Sequence, residues 1–171
     1  MRHPTRSTRK PHRYQPHHDE YVPSLTVLQR WNASLSLPIC VAEVDGKGLG
    51  VVARRSLPAG TIVARYEFRV VERARAPPGD YRVDVSRRLV GKVDARSFGP
   101  PVDGVANVGA LLNEATAGTG EVTNCARTGS VFSGSQGHRR GAFVLHTTHT
   151  VRVGEELMWD YGKGYGKREH Y

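Results

Sequence analysis

The sequence has few cysteines and no long apolar run, and both absences narrow its class. Cys40 and Cys125, the only two cysteines among 171 residues, cannot form a disulfide framework or a four-cysteine zinc site. We expect both to be buried small side chains. No apolar stretch reaches the roughly 18 residues of a membrane span, and the N-terminus lacks the apolar segment of a secretory signal. These absences predict a soluble intracellular protein with no membrane contact and no metal site.

Lysine is also scarce, since 20 of the 25 basic residues are arginines, and the net charge is +9. A guanidinium group favours bidentate contact with phosphate or carboxylate, so this bias indicates anionic partners. Residues 1–38 carry six basic and two acidic residues. Two interpretations of this segment stay open: a solvated basic tail that maintains solubility, or a segment that contacts DNA or directs the chain to the nucleus.

The composition changes near Leu37-Pro38, where a segment rich in Pro, His and Arg gives way to an apolar run. Residues 1–20 have the low hydrophobicity of a disordered segment. Residues 22–37 carry enough apolar side chains for one short helix or strand that packs on the rest, with Trp31 as its anchor. The sequence therefore predicts a basic, largely disordered tail over residues 1–38 and a folded domain over residues 39–171.

Short apolar runs separated by Gly, Pro or Asp predict a mainly β domain. Residues 105–113 have the pattern of a short helix, and Gly99-Pro100-Pro101 marks a loop. The predicted strands are residues 51–53, 61–66, 81–85, 89–93, 141–145 and 150–153.

A glycine-rich segment, residues 46–50, lies between two of the apolar runs. It is compatible with a hairpin turn after Asp45-Gly46, and also with a loop whose backbone approaches a ligand closely. The two interpretations do not exclude each other. No helix follows the segment, which argues against a phosphate-binding loop of the Rossmann type.

Two further segments carry polar side chains after apolar runs. Asn113 follows residues 108–112, where it could cap a helix or contact a ligand. Tyr161 ends residues 154–162, Gly-Glu-Glu-Leu-Met-Trp-Asp-Tyr-Gly, where it could be a core aromatic or a reactive phenol. For at least one of Glu155 and Glu156, a charged turn is the preferred interpretation.

Taken together, the glycine segment, Leu111-Leu112-Asn113-Glu114 with Asn124-Cys125, and residues 154–162 resemble the SET domain of protein lysine methyltransferases. The resemblance covers about residues 39–171. It implies a fold of several short twisted sheets with a short helix and a knot-like C-terminal segment. It also implies S-adenosylmethionine as cofactor and a protein lysine, favoured in a histone tail, as substrate.

The resemblance assigns roles to single positions in this sequence. Tyr161 is implied as the catalytic residue that aligns the lysine amine with the methyl group. An aromatic channel would favour the methylammonium product by cation–π attraction. The implied cofactor-binding residues are Gly48, Leu49, Gly50, Tyr81, Asn113 and Glu114, and the implied channel residues are Tyr66, Trp159 and Tyr165.

The sequence departs from the family pattern at three places. Glu114 stands where the family usually has histidine, and Thr123 stands where it usually has proline. A cysteine-rich zinc segment does not follow Tyr161, so Tyr165, Tyr171 or a partner subunit is expected to close the lysine channel. The pattern is similar to minimal, zinc-free SET proteins, some of which form homodimers.

The resemblance thus implies a methyltransferase of chromatin, with the nucleus as the favoured location. Nucleosomal DNA contact through the basic tail is one of the two interpretations of that tail that stay open. The histone substrate rests on family analogy alone. Two alternatives stay open: a SET-like binding module without catalysis, for which Glu114 is the motive, and a basic protein that associates with nucleic acid.

Overall fold

The structure is a computed structural model that describes residues 23–33, 37–76, 82–115, 119–134 and 139–161. In these ranges the chain forms one α-helix, nine strands and three 3-10 turns. The elements are α1 (Leu25–Ala33), β1 (Ile39–Val44), β2 (Gly48–Ala53), β3 (Ile62–Glu72), β4 (Arg82–Asp84), β5 (Leu89–Lys92), β6 (Gly99–Val102), β7 (Val105–Asn107), β8 (Cys125–Ser133) and β9 (Arg140–Thr147). The mainly β fold predicted from the sequence is confirmed.

Strand β3 is the centre of the larger sheet. One of its edges pairs with antiparallel β9 from Ile62 to Arg69. The opposite edge pairs with antiparallel β5 from Arg69 to Glu72 and with parallel β7 at Ala64. Strand β4 extends the sheet beyond β5, and β8 extends it beyond β9, while β1 and β2 form a separate hairpin. Within the described residues, β4 and β8 are therefore the two ends of a twisted row of strands.

The core lies where this sheet packs against the hairpin and the C-terminal segment. Phe68 of β3 is 1% exposed, and its ring covers Gly91 of β5 and Gly141 of β9. A Cβ atom at Gly91 would lie 2.3 Å from the ring, and one at Gly141 would lie 2.4 Å from it. Burial of a side chain as large as phenylalanine stabilises the fold by about 1.5–3 kcal/mol. The neighbouring strands need glycine at these two positions because the ring fills the space of a side chain.

Helix α1 packs on β1 and β6 through one apolar side. Leu28 is fully buried, and Trp31 is half-buried against the core cluster. The sequence left helix or strand open for this segment. The helical spacing of Leu25, Leu28 and Trp31 places their side chains toward the same side, so one face can contact the domain.

Three local predictions are wrong. Residues 105–113 form β7 and then a 3-10 turn at Gly109–Leu111, because Gly109 lies against the backbone of β3, where a Cβ atom would be 2.7 Å from the Arg65 carbonyl oxygen. Residues 99–102 form strand β6 although they include two prolines. This strand pairs only with β7 among the described residues, and an edge strand tolerates proline.

The third wrong prediction is the strand at residues 150–153. Only one isolated bridge forms there, between Val151 and Leu57. Gly154 adopts φ +83° directly afterwards, and Val153 is 67% exposed. The turn leaves room for only one paired residue.

The C-terminal segment is held between two distant parts of the chain. Met158 bridges Asn113, and Trp159 bridges Cys125, both in parallel orientation. Leu157 donates its amide hydrogen to the Val51 carbonyl of β2 at 2.7 Å. This threading is the knot-like C-terminal segment implied by the resemblance, and it brings Tyr161 next to Leu112.

Candidate functional site

The glycine segment forms the turn of the β1–β2 hairpin and the start of β2. Gly46 and Gly48 adopt φ values of +73° and +82°, which residues other than glycine rarely adopt. Gly50 has a different reason to be glycine, because a Cβ atom there would meet Val44 Cγ2 at 2.6 Å and Glu156 Oε1 at 2.9 Å. The hairpin interpretation is therefore correct, and it coexists with a crowded backbone face at Gly50.

Asn113 connects this hairpin to the C-terminal segment. Its side-chain nitrogen donates to the Leu49 carbonyl oxygen at 3.2 Å and to Glu156 Oε1 at 2.7 Å. Its own carbonyl oxygen accepts a hydrogen bond from the Trp159 amide at 3.1 Å. The structure thus places Leu49, Gly50 and Asn113 in one cluster, while Gly48 opens the same strand.

Lys47 and Glu156 belong to this cluster although the sequence analysis did not select them as site residues. The Lys47 ammonium lies 3.2 Å from Glu156 Oε2, 2.8 Å from Glu121 Oε1 and 3.4 Å from Met158 Sδ. The side chains of Lys47 and Glu156 are 15% and 13% exposed. Opposite charges next to the glycine segment therefore lie largely out of solvent.

The two adjacent glutamates have different environments. Glu155 is exposed and accepts a hydrogen bond from the Arg152 amide at 2.9 Å, as a charged turn requires. Glu156 instead faces Asn113 and Lys47. Its place in the cluster follows from the long-range bridge between Glu156 and Val52. No local pattern in the sequence distinguishes the two residues.

Tyr161 is half-buried beside the same segment. Its hydroxyl donates a hydrogen bond to the Leu112 carbonyl oxygen at 2.6 Å. Its ring lies 5.3 Å from the ring of Trp159, measured between centroids. Because the hydroxyl hydrogen is directed at Leu112, the phenol oxygen presents acceptor positions to any further group.

The aromatic residues predicted for the channel wall form a packed row. Tyr66 stacks on Phe143 at 4.8 Å and meets Trp159 edge-on at 5.9 Å. Tyr66 is 4% exposed and Trp159 is 6% exposed. Among the described residues, the buried Trp159 Nε1 has no hydrogen-bond partner. The row connects Tyr161 to the interior of the large sheet.

Glu114 lies at the position where the family usually has histidine. Burial raises the pKa of its carboxyl group above the ordinary value, a hydrogen bond from the Tyr161 backbone amide lowers it, and the Asp160 charge raises it further. The net direction is upward. Glu114 therefore contacts the backbone of the candidate catalytic residue.

Two of the predicted site residues, Tyr81 and Tyr165, lie outside the residues that the structure describes. Within the described ranges, no three His, Cys, Asp or Glu side chains are grouped so that they could hold a metal ion. In the same ranges, no helix is long and apolar enough to cross a membrane.

A family model described as the SET domain matches residues 48–162 of the chain. A search of the curated proteins found no match. The SET match includes residues 48–50 of the glycine segment, Asn113, Glu114 and Tyr161 but not helix α1.

Solved structures with a similar fold include a candidate histone methyltransferase of Plasmodium falciparum, with 13% identity and a TM-score of 0.50 over 78% of this chain and all of that chain. KRYPTONITE in complex with mCHG DNA and SAH is 21% identical, with a TM-score of 0.52 over 78% of this chain. KRYPTONITE with mCHH DNA, an H3(1-15) peptide and SAH is 22% identical, with a TM-score of 0.51 over 76% of this chain.

The chain spans only about a quarter of either KRYPTONITE chain, 25% and 24%. At these identities the similarity shows the fold alone.

Proposed function

The chain belongs to the SET domain family, and from this premise we propose that it is a protein-lysine N-methyltransferase that uses S-adenosylmethionine. Histones are the first substrate class to test. The observation that carries the proposal is the junction at Leu112-Asn113, where Tyr161 binds the Leu112 carbonyl and Asn113 binds Leu49 and Glu156. A candidate catalytic phenol and a candidate cofactor cluster are thereby fixed to consecutive residues.

The charged groups at the glycine segment fit the amino-acid end of S-adenosylmethionine. That end carries an ammonium and a carboxylate, and the cluster offers the Glu156 carboxylate and the Lys47 ammonium to oppose them. The absence of a Cβ atom at Gly50 lets the Glu156 and Asn113 side chains lie against the strand, because such an atom would be 2.9 Å from Glu156 Oε1 and 3.0 Å from Asn113 Nδ2. In solved KRYPTONITE structures the bound molecule is SAH, which is S-adenosylmethionine without its methyl group. Gly48, Leu49, Gly50, Asn113 and Glu156 are the residues that we assign to hold the cofactor.

The chemistry requires alignment more than acid-base catalysis. When bound, S-adenosylmethionine supplies a methyl group on a positively charged sulfur. Tyr161 is suited to orient the attacking lysine amine, because its oxygen is fixed by Leu112 and acts only as an acceptor toward a ligand. The neighbouring Trp159 ring restricts rotation of Tyr161 by direct packing. Fixing the approach in this way reduces the entropy that the reaction must lose.

The test is transfer of an isotopically labelled methyl group from S-adenosylmethionine to core histones and nucleosomes, with the Tyr161→Phe variant in parallel. Label that the native chain incorporates and the variant does not would support the activity and the role of Tyr161. Equal label from both would contradict the role of Tyr161. No label from the native chain on any histone, or on a cell extract of non-histone proteins, would contradict the proposed activity.

One observation favours a second function, a SET-like binding module without catalysis. Glu114 places a carboxyl group with a raised pKa at a position where the family usually has histidine. Calorimetric titration with S-adenosylmethionine separates the two functions. Binding in the micromolar range is required for the enzyme, whereas absence of binding favours the module.

The wider context of the activity is also a proposal. The net charge of +9 supports contact with nucleosomal DNA and a nuclear location. A homodimer that closes the lysine channel is compatible with the sequence. The basic residues of the tail before position 23 lie outside the described residues.

A further inference from the structure

A concave region lies between β4 and β8. None of its lining residues belongs to the glycine cluster, which consists of Lys47, Leu49, Gly50, Asn113 and Glu156. The volume of the concave region is about 270 Å³. Phe68 and Phe143 of the central strands line it, together with Val83 and Asp84 of β4 and Arg127 and Phe132 of β8. Because the end strands β4 and β8 line one cavity, the twisted sheet curls until its two ends face each other.

Both end strands have backbone groups that the sheet does not use. Among the described residues, β4 pairs only with β5, and β8 pairs with β9 apart from the single bridge at Cys125. A bulge between Thr128 and Val131 interrupts the β8–β9 pairing, at the residues that line the groove. Unpaired strand edges bind extended peptides through main-chain hydrogen bonds. The edges of β4 and β8 therefore offer main-chain hydrogen-bonding groups to an extended chain.

The uncompensated charge in this groove is positive. Asp84 is paired with Arg73, whose Nη2 lies 2.8 Å from Asp84 Oδ1. Arg127 is an exposed residue, and its guanidinium carbon lies 5.9 Å from the centre of the buried Phe143 ring. In the part of the chain that the structure describes, Arg127 makes no ion pair and no side-chain hydrogen bond. A guanidinium carries five donors, so one that lies over the Phe143 ring in this groove and has no described acceptor is suited to an anionic ligand.

We propose that Arg127 binds an anionic side chain of the protein substrate, a carboxylate or a phosphate, close in sequence to the lysine that is methylated. This proposal rests on the proposed function, because it defines the substrate class of the same site. Proteins whose target lysine has an acidic or phosphorylated neighbour are then preferred over uniformly basic segments. The criterion applies equally to lysines of histones and of other proteins.

The row of rings gives the distance between this anionic side chain and the target lysine. Phe143 lies under the Arg127 guanidinium, 5.4 Å from Trp159, and Trp159 lies 5.3 Å from Tyr161. Three steps of less than 6 Å each separate Arg127 from Tyr161. An extended chain advances about 3.3 Å per residue, so the anionic side chain lies within about five residues of the lysine.

A peptide fits the groove better than a nucleic acid does. Nucleic acids are bound by several cationic groups that neutralise successive phosphates. Here one cation faces a groove whose other lining residues include Phe68, Val83 and Phe132. One cation without a described ionic partner, next to apolar side chains, the hydroxyls of Thr128 and Ser130 and free strand edges, matches a peptide with a single anionic side chain.

The experiment uses one lysine peptide in four forms that differ at a single position within five residues of the lysine: glutamate, phosphoserine, glutamine or lysine. For each form, kcat/KM is measured by labelled methyl transfer, and Kd is measured by fluorescence anisotropy. We expect the native chain to prefer glutamate or phosphoserine over glutamine by about tenfold, the value of one charge-assisted hydrogen bond. The comparison of these two forms distinguishes a carboxylate site from a phosphate site.

Two variants connect the preference to one residue. Arg127→Gln should abolish it, and Arg127→Glu should reverse it toward the lysine-flanked peptide. Arg54→Gln is the matched control, since Arg54 is exposed, lies outside the groove and makes no described side-chain contact. The control should retain the native preference, which excludes a general effect of the net charge.

Several results would overturn the proposal. These are a native chain without anionic preference, a preference that survives in Arg127→Gln, and displacement of the peptide by single-stranded DNA that depends on Arg127. The anisotropy measurement separates this proposal from the proposed function. If no peptide is methylated but binding still shows the preference that depends on Arg127, the groove assignment holds and the enzymatic function fails.

Discussion

The hydroxyl of Tyr161 donates a 2.6 Å hydrogen bond to the carbonyl oxygen of Leu112, a residue 49 positions earlier in the chain. This bond connects the C-terminal segment to the residue directly before Asn113. The Asn113 carbonyl in turn accepts the Trp159 amide. The orientation of the phenol and the position of the glycine cluster are consequently coupled, so a substitution at either place is expected to affect the geometry of both.

Tyr161→Phe should lower methyl transfer by about a hundredfold or more, since it removes the oxygen that orients the amine. It should lower the free energy of unfolding by only about 1 kcal/mol, because one hydrogen bond to Leu112 is lost and little volume changes. Labelled transfer and thermal unfolding measure the two effects. The control is cofactor affinity by calorimetry, which should remain at the native value. A variant that keeps the full rate would show that Tyr161 is not catalytic.

Glu114→Gln should change how stability depends on pH. Burial raises the pKa of Glu114, so the folded state holds this proton to a higher pH than the unfolded state does. The stabilising contribution is therefore complete below the ordinary pKa and is lost as the pH rises through the raised value. Relative to the glutamine variant, which keeps an acceptor for the Tyr161 amide, the native chain should lose stability over the pH range above the ordinary carboxyl pKa of 4.5.

Thermal unfolding of both proteins across that pH range measures the difference. Glu155→Gln removes the same charge from an exposed turn and is the control for a change in net charge. A difference between native and Glu114→Gln that stays constant over the whole range would contradict the raised pKa.

The sequence predicted the elements whose signals are local. The hairpin at Asp45-Gly46, most of the strands and the mainly β fold follow from turn residues and short apolar runs. Strand β8 was missed, because seven consecutive residues from Arg127 to Ser133 are exposed and carry no apolar alternation. The 3-10 turn at Gly109–Leu111 was predicted as a helix. The turn follows from the contact of Gly109 with β3, and no local sequence pattern shows that contact.

The candidate site also contains residues that the sequence identifies and residues that only the fold brings together. Gly50, Asn113 and Tyr161 stand out in sequence as the residues of recognisable motifs, and the structure brings Asn113 to the cluster of Leu49, Gly50 and Glu156. Lys47, Glu121 and Glu156 meet only in three dimensions, since Glu156 is 109 residues from Lys47. Arg127 is one of 20 arginines. Its place in the lining of the groove, over the Phe143 ring, is what distinguishes it from the others.

The two cysteines should differ in reactivity. Burial raises the pKa of the Cys125 thiol to about 12, and the nucleophile in thiol labelling is the thiolate. Cys40 is half-buried. At about pH 8, a thiol reagent should modify Cys40 in the native protein and Cys125 only after unfolding. Mass spectrometry counts the labels, and Cys40→Ala, the control, should take none while folded and one when denatured. Rapid labelling of native Cys40→Ala would show that Cys125 is accessible.

Gly50→Ala should separate cofactor binding from stability. The new Cβ atom would lie 2.9 Å from Glu156 Oε1 and 3.0 Å from Asn113 Nδ2, so it would displace the groups proposed to hold the cofactor. We expect affinity for S-adenosylmethionine to fall by about tenfold or more, and the free energy of unfolding to fall by about 1–3 kcal/mol through overpacking. Calorimetric titration and denaturant unfolding measure the two quantities.

Gly60→Ala is the matched control for this substitution. Gly60 adopts φ +81° in a turn where no atom lies within 4 Å of a new Cβ. Its replacement should cost about 1–2 kcal/mol of stability through backbone strain alone and leave cofactor affinity unchanged. Two variants of similar stability would then differ in affinity only because Gly50 adjoins Asn113 and Glu156. If both bound the cofactor as the native chain does, the glycine cluster would not be the cofactor site, and the search would move to other surfaces of the domain.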